Sequence, residues 1–456
     1  MNRLPPEVIA LCAAFVSDTD PKPTIILTHV CQYWREAITS SPGNWASIGS
    51  GWKRLVPLCL ERAGATPLTA NISVLDVEED KDLIQTLAPH ISRISHLSLT
   101  GYAFIEDVAG RLPGFFASPM LNLTSLELEQ VRRPAESFPS NEDPTPPLLQ
   151  NVSKLKFLHL TQVPLYPTLS TVTSLVELKL IDYTIPFGKF LGLLESNITL
   201  EVVVLALGFT RTSVLAALER RVSLARLRHL TLTCDNAIDA RGLLSCLSFP
   251  RSVNIEVRAS PRNACDNLAS FLPHPPTSIQ DLLAPITTIK DWHSLGKFYL
   301  SSNDGSFTFH YSGPPKKLYQ EFNLFAAGAV REFHLSAGYQ SSTVHLSWPL
   351  ERLPALEALV ISGTPLHYGL LSDLTKEPVL CPSLKTIALF DCEVTRNVIE
   401  ELKQIVAKRE HSTAARLHRV VIVSDTDLPA AGLIRWLRRS VPQVDVMLGG
   451  ELPDLL

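Results

Sequence analysis

Cysteine is scarce: eight occur in 456 residues, and no two form a C-x-x-C pair. That excludes a disulfide scaffold and leaves a zinc site without an anchor. Buried free thiols in a reducing, intracellular setting fit this usage. Aromatics make up only 7% of the chain, so any core is mainly aliphatic. Neither sign of charge is in excess. The 41 basic and 45 acidic residues leave a net charge of −4, which is no electrostatic footprint for nucleic acid. The densest basic stretch, Arg435-Trp436-Leu437-Arg438-Arg439, carries three charges and reads as the solvated face of a short helix. No run reaches the ~20 apolar residues of a membrane span. Signatures of nucleophilic, metal and phosphate chemistry are missing as well: there is no G-x-S-x-G, H-E-x-x-H, G-x-x-x-x-G-K-[ST] or G-x-G-x-x-G. His29, Cys31, His229 and Cys234 are scattered and read as structural. No catalytic set, cofactor or metal is expected.

What is present is a folded chain. Hydrophobic residues make up 45% and charged residues 19%, ordinary for a globular protein. The length exceeds what one compact core needs, so several domains or an open-ended repeat stack are expected. One feature points toward secretion. Val8 to Val16 is a nine-residue apolar run behind Arg3, and N-x-S/T sequons occur at Asn71, Asn122, Asn151 and Asn197. Against it, Pro5, Pro6 and Glu7 interrupt the segment before the run, and no small-x-small cleavage site precedes Asp18.

The first fifty residues read as a helical module. Leu4-Pro5-Pro6-Glu7 is a helix start, because proline costs nothing in the first turn and Glu7 suits the positive end of the dipole. That helix should run to about Ser17. Asp18 to Pro23 is a turn by composition, with Thr24 as the next N-cap. A second helix then carries Leu27, Val30, Cys31, Trp34 and Ile38 on one face, and Ser40-Ser41-Pro42-Gly43 ends it. A unit this small must dock on something, either the rest of the chain or a partner's groove.

Three pieces of this module follow one another in order: Leu4-Pro5-Pro6-Glu7-Val8-Ile9, then Leu27 to Glu36 with the core Val30-Cys31-Gln32-Tyr33-Trp34-Arg35, then Ser41-Pro42-Gly43-Asn44-Trp45. Together they resemble the F-box family, and more closely the F-box-like proteins expanded in mushroom-forming fungi. Cys12 and Ala13 stand where the family carries a bulky aliphatic residue and a Phe; each lost CH₂ removes roughly 0.8 kcal/mol of burial. The resemblance implies a subunit of an SCF-type ubiquitin ligase whose helices bind the adaptor, and through it the cullin, in the cytoplasm or nucleus. The positions it implies for adaptor contact are Leu4, Pro5, Val8, Ile9, Leu27, Val30 and Trp34. Trp34 and Trp45 also read as core of the module itself.

Gly51 to Gly64 reads as a connecting helix broken near Pro57, and Leu68 to Val74 as a strand. An L-x-x-L-x-L pattern then recurs. Its middle residues fall at 97, 126, 158, 178, 205 and 230, and later at 333, 359, 387 and 420; Leu295…Phe298-Tyr299-Leu300 is read as a further copy, and Gly305 to Tyr311 as another strand. Spacings between 20 and 33 centre on the ~20–29 of leucine-rich repeats. Gly188 to Leu194 and Val398 to Val406 read as helices between strands. The family's Asn or Cys position three residues past the last leucine is filled only at Cys392; elsewhere it is Tyr102, Val131, Val163 and Tyr183. Arg132 to Leu149 and Pro261 to Pro285 read as loops.

The expected fold class is therefore α/β: a small all-α F-box-like module over 1–50, a connecting segment over 51–67, and an irregular leucine-rich-repeat solenoid over 68–456 with a parallel inner sheet and outer helices. In such a stack the x of L-x-L faces outward and the row is a binding face. It includes Ser98, Tyr299 and Val360, and the candidates for target contact are Glu127, His159, Lys179, Thr231 and His334. The expected function is non-catalytic recruitment of a target protein for ubiquitylation. The alternatives are a leucine-rich-repeat scaffold whose N-terminal helices only cap the stack, and a secreted repeat protein.

Overall fold

In a computed structural model of the chain, the structure describes residues 4–16, 22–74, 77–101, 118–130, 152–163, 172–209, 220–234, 236–250, 252–260, 271, 288–292, 297–301, 307–312, 330–336, 350–362, 371–376, 378–392, 395–412, 414–424 and 431–448. The chain is mixed α/β and divides into two units: residues 1–228 with 248–250, and residues 229–247 with 251–456. The expected loops 132–149 and 261–285 lie outside the described residues, Phe271 apart.

The first unit opens with α1 (Pro6–Val16), α2 (Lys22–Thr28) and α3 (Gln32–Thr39). The single helix expected from Thr24 to Ile38 is thus two. The chain turns at His29 and Val30, and Arg35 holds that turn by donating from Nε to the Thr28 carbonyl at 3.1 Å. Helical periodicity persists across a short turn, so spacing alone does not show the break. A 3₁₀ turn (Pro42–Trp45) leads to β1 (Ser47–Gly49), then a second 3₁₀ turn (Ser50–Leu55) to α4 (Val56–Ala63). The break in the connecting segment comes just before Pro57, which sits in the first turn of α4. Gly64 ends the helix at φ +54°, a conformation that favours glycine.

Trp45 is the module's anchor. It is fully buried, its Nε1 donates to the Ile38 carbonyl at 3.1 Å, and the Arg62 guanidinium lies 4.3 Å from the ring centre. That one side chain ties the end of α3 to α4.

Strands β1, β2 (Leu68–Val74), β3 (Ile94–Gly101), β4 (Ser125–Gln130), β5 (Phe157–Thr161), β6 (Glu177–Ile185) and β7 (Val202–Phe209) pair in chain order, every pair parallel. The helix α5 (Val77–Leu87) joins β2 to β3, α6 (Phe187–Ser196) joins β6 to β7, and the two-residue strand β8 (Val222–Ser223) follows. The motif leucines explain the order. Leu97/Leu99, Leu126/Leu128, Leu158/Leu160, Leu178/Leu180 and Val203/Leu205 all point to one side and are buried. Stacking the next strand is what buries them, at ~1.5–3 kcal/mol per side chain.

Four of the leading leucines close a turn before their strands. Leu123, Leu155, Leu200 and Leu227 each donate a backbone N–H to the carbonyl three residues back, at 3.0 to 3.2 Å. Hydroxyls link successive turns: Ser95 to the Leu68 carbonyl, Thr124 to Ser95, Ser174 to Leu155 and Thr199 to Leu175, at 2.7 to 3.1 Å. At β7 the register runs two residues earlier than the sequence suggested. Val203 and Leu205, not Leu205 and Leu207, stand beside Leu178 and Leu180. Both frames satisfy the motif in Leu200-Glu-Val-Val-Val-Leu-Ala-Leu, and a shift of two keeps the same face inward.

In the second unit, β9 (His229–Cys234) is followed by α7 (Ala237–Cys246), β10 (Leu247–Ser248), which meets the division between units, and β11 (Asn254–Ala259), then β12 (Thr288–Trp292), β13 (Lys297–Ser301) and β14 (Phe307–Ser312). After these come β15 (Glu332–Ser336), β16 (Ala358–Ser362), β17 (Thr386–Phe390), α8 (Arg396–Glu410), β18 (Arg419–Ser424), α9 (Ala431–Ser440) and β19 (Gln443–Leu448). β9, β11 and β14 pair parallel, and β12 with β15 through β19 pair parallel. Between them β12, β13 and β14 form an antiparallel meander. The segment around Phe298-Tyr299-Leu300, read as a repeat copy, is the middle strand of that meander. Its motif matches by composition, but a hairpin strand also alternates, and alternation does not encode direction.

β16, β17 and β18 are buried on both faces. Ala358, Val360, Ala388, Val421 and Val423 form one cluster, opposite the inward Leu359, Ile361, Ile387, Leu389, Val420 and Ile422. Arg409, at the end of α8, is also enclosed. Its guanidinium donates to the carbonyls of Leu380, Cys381, Leu384 and Ala415, at 2.8 to 3.2 Å.

Candidate functional site

Two surfaces stand out, and each follows from how its element packs. The first is α1, which is apolar nearly all round. Ile9 and Ala13, four residues apart, are wholly buried within the module. On another side Val8, Leu11, Cys12 and Phe15 run at spacings of 3, 1 and 3, one helical stripe. That stripe is bare: Leu11 is 69% and Phe15 87% exposed. Leu4, Val16, Ile26 and Val30 are exposed too, so residues 4–30 hold seven of the eleven large exposed hydrophobics among the described residues. The chain before α1 is held in place, because the Tyr33 hydroxyl donates to the Leu4 carbonyl at 2.9 Å. An exposed, contiguous apolar surface marks an interaction site.

Of the seven positions assigned to adaptor contact, Leu4, Pro5, Val8 and Val30 are exposed, Leu27 and Trp34 are half-buried, and Ile9 faces the module interior. Sequence reasoning missed Leu11, Phe15 and Ile26. The signal for the first two was present: a helix with apolar residues at 8, 9, 11, 13, 15 and 16 has more than one buried stripe can use.

The second surface is the outward side of the first unit's sheet. The x positions of successive motifs fall side by side: Asn71, Ser98, Glu127, His159, Lys179 and Val204 occupy one register row. The predicted Glu127, His159 and Lys179 are therefore neighbours. Glu177, one step along β6, accepts from His159 Nε2 at 3.0 Å and Lys179 Nζ at 2.6 Å. Partial burial pushes the Glu177 carboxyl up, but the Lys179 hydrogen bond and the nearby Lys179 and His159 charges outweigh it and hold the group below the ordinary carboxylate value.

Thr231 and His334 belong to the second unit. Thr231 is buried, and its hydroxyl lies 2.9 Å from His229 Nε2. His334 is half-buried and bonded to Glu332. Its register neighbour Val360, expected on the outward row, is buried. The Tyr299 side chain lies outside the described residues.

The remaining polar features are structural. Asn197 is wholly buried; it accepts from the Leu175 N–H at 3.0 Å and donates to the carbonyls of Val172 and Leu193, both at 2.8 Å. Its sequon is thereby closed to a glycan in the folded chain. Burial pushes the thiols of Cys381 and Cys392 up to about 12. Cys392 donates to the Ile361 carbonyl at 3.3 Å, so the one filled Asn/Cys position does bond to the preceding strand. Among the described residues no His/Cys/Asp/Glu group could hold a metal ion, and no helix is long and apolar enough to cross a membrane. No protein-family model matches the chain, and no curated protein matches it.

Proposed function

We propose that the chain is a substrate-recruiting subunit of an SCF-type ubiquitin ligase, docking on the adaptor through α1 to α3 and holding a target protein on an irregular leucine-rich-repeat sheet. The observation that carries the docking half is the bare stripe Val8-Leu11-Cys12-Phe15. A helix whose second apolar face meets only water is the half of an interface that a partner groove completes. Its place within a module ordered like an F-box, Leu-Pro-Pro-Glu through Val-Cys-x-x-Trp-Arg to Pro-x-x-Trp, points to the adaptor as that partner. The repeat reading is supported by the buried leucine pairs, the turn that recurs before several strands and the parallel pairing in chain order. The chain contributes no chemistry of its own. By holding a target near the ligase's charged ubiquitin carrier it raises the effective concentration at a target lysine. This work belongs to the cytoplasm or nucleus.

One observation favours a second reading, a repeat scaffold whose helices merely cap the sheet: β1, directly after the helices, pairs with β2. Capping accounts for Trp45 and Ile48 but leaves Leu11 and Phe15 without a use. A pull-down of the full chain with purified SCF adaptor, beside Leu4/Pro5/Val8→Ala and Leu11/Phe15→Ser variants, separates the two. Retention of wild type and loss of both variants supports the ligase subunit; failure of wild type to bind leaves the cap.

A further inference from the structure

The outward rows differ in what they offer. On β16 to β18 the outward positions Ala358, Val360, Ala388, Val421 and Val423 are already buried, whereas Arg258 on β11 and His310 on β14 are accessible. In the first unit every described outward side chain of β3 to β6 is accessible.

The first unit's open face is also divided chemically. Two of its carboxylates, Glu127 and Glu129, stand two apart on β4 and point the same way. Among the described residues neither has an ion-pair or hydrogen-bond partner, whereas Glu177 on β6 is neutralised by Lys179 and His159. Among the described residues, then, the carboxylates of β4 are the unpaired negative charges of this face. Beyond it the character changes. Ile181 on β6 and Val202, Val204 and Ala206 on β7 stand on the same outward rows and are accessible, Ile181 directly beside Ala206.

From this we infer that the open sheet of the first unit, strands β4 to β7, receives an extended segment of a partner protein that carries a Lys or Arg over Glu127 and Glu129 and an aliphatic residue over Ile181 and Val204. Three strand intervals separate β4 from β7, about 14 Å, which an extended chain crosses in about four residues. The segment is thus basic at one position and aliphatic about four positions away. The inference rests on the proposed function for the idea that the sheet holds a target, and it adds where the target binds and what it must carry.

The test uses the full chain, without adaptor, against a displayed library of random 12-residue peptides, so it is independent of the docking helices. Enriched peptides are then synthesised and titrated by fluorescence anisotropy. The expected result is enrichment of Lys or Arg about four residues from Leu, Ile or Val. Glu127→Lys/Glu129→Lys should weaken binding at least tenfold, and replacing the peptide's basic residue by Glu should restore binding to that variant alone. Both positions are outward-facing, and an unchanged melting profile certifies the variant's fold. Acidic consensus peptides, no enrichment, or binding indifferent to the double substitution would each overturn the inference. Adaptor binding can still succeed in any of those cases, so the two failures are distinguishable.

Discussion

Replacing Asn197 with alanine should be among the most damaging single changes available in the first unit. The side chain is wholly buried at the C-cap of α6 and makes three hydrogen bonds of 2.8 to 3.0 Å. Alanine strands the Leu175 N–H, at about 2 kcal/mol for a buried donor, and takes a bond from the Val172 and Leu193 carbonyls, at about 1 kcal/mol each. The total is roughly 4 kcal/mol, before any cavity cost. With an m-value of about 2.5 kcal/mol/M, the urea midpoint of this unit should fall by about 1.5 M. Amide exchange over residues 172–200, followed by mass spectrometry with urea, isolates the affected unit. Asn197→Asp should be no better, since it loses both donors and buries a charge. Asn122→Ala, at an exposed Asn in a similar sequon, is the control and should cost under about 1 kcal/mol. A midpoint shift below about 0.3 M for Asn197→Ala would refute the view that this amide joins α6 to the sheet.

In the second unit, Arg409→Met should destabilise by about 3–4 kcal/mol, because four carbonyls lose their donor together; chemical denaturation followed at Trp436 measures it, and Arg409→Lys should recover only part, lacking the planar fork. Glu177→Gln should change the acid limb of stability. The native carboxyl is held below its ordinary value near 4.5, so its contribution is present above that pH and fades as pH falls through the native value. Denaturation curves of the wild type and of the Glu177→Gln variant should differ at pH 6 and converge at the acid end; a gap independent of pH would contradict the ion-pair account. Thiol labelling at pH 8 should modify exposed Cys12 rapidly while Cys381 and Cys392, buried and held near 12, stay protected until unfolding. Mass analysis of the labelled peptides reads this directly, and equal rates would refute it.

The sheet was legible in the sequence because its cause is local and repeated: leucines at fixed offsets dictate which side of each strand is buried. Even where the frame slipped by two, at β7, the faces came out unchanged. Direction was not legible. Phe298-Tyr299-Leu300 fits the motif yet runs antiparallel, and the strands β1, β11 and β19, with Ile255-Glu256-Val257 and Val444-Asp445-Val446 at the centres of the latter two, use β-branched residues in place of leucine. Whether an outward position stays open was likewise hidden. Val360 and Ser98 occupy equivalent places, but Val360 is buried in a cluster with Ala358, Ala388, Val421 and Val423. In α1 the family-like positions include Ile9, a core residue, and omit the exposed Leu11 and Phe15. Apolar residues all round α1 carried that information, because a single buried stripe needs only Ile9 and Ala13.

The central claim, that the bare stripe of α1 is a docking face for the ligase adaptor, is tested most directly by the alkylation rate of Cys12 within it. With the purified adaptor bound to the full chain, iodoacetamide labelling of Cys12 should slow at least tenfold, and Leu11/Phe15→Ser should abolish that protection. Unchanged labelling of Cys12 at saturating adaptor, or no complex at all, would contradict the account.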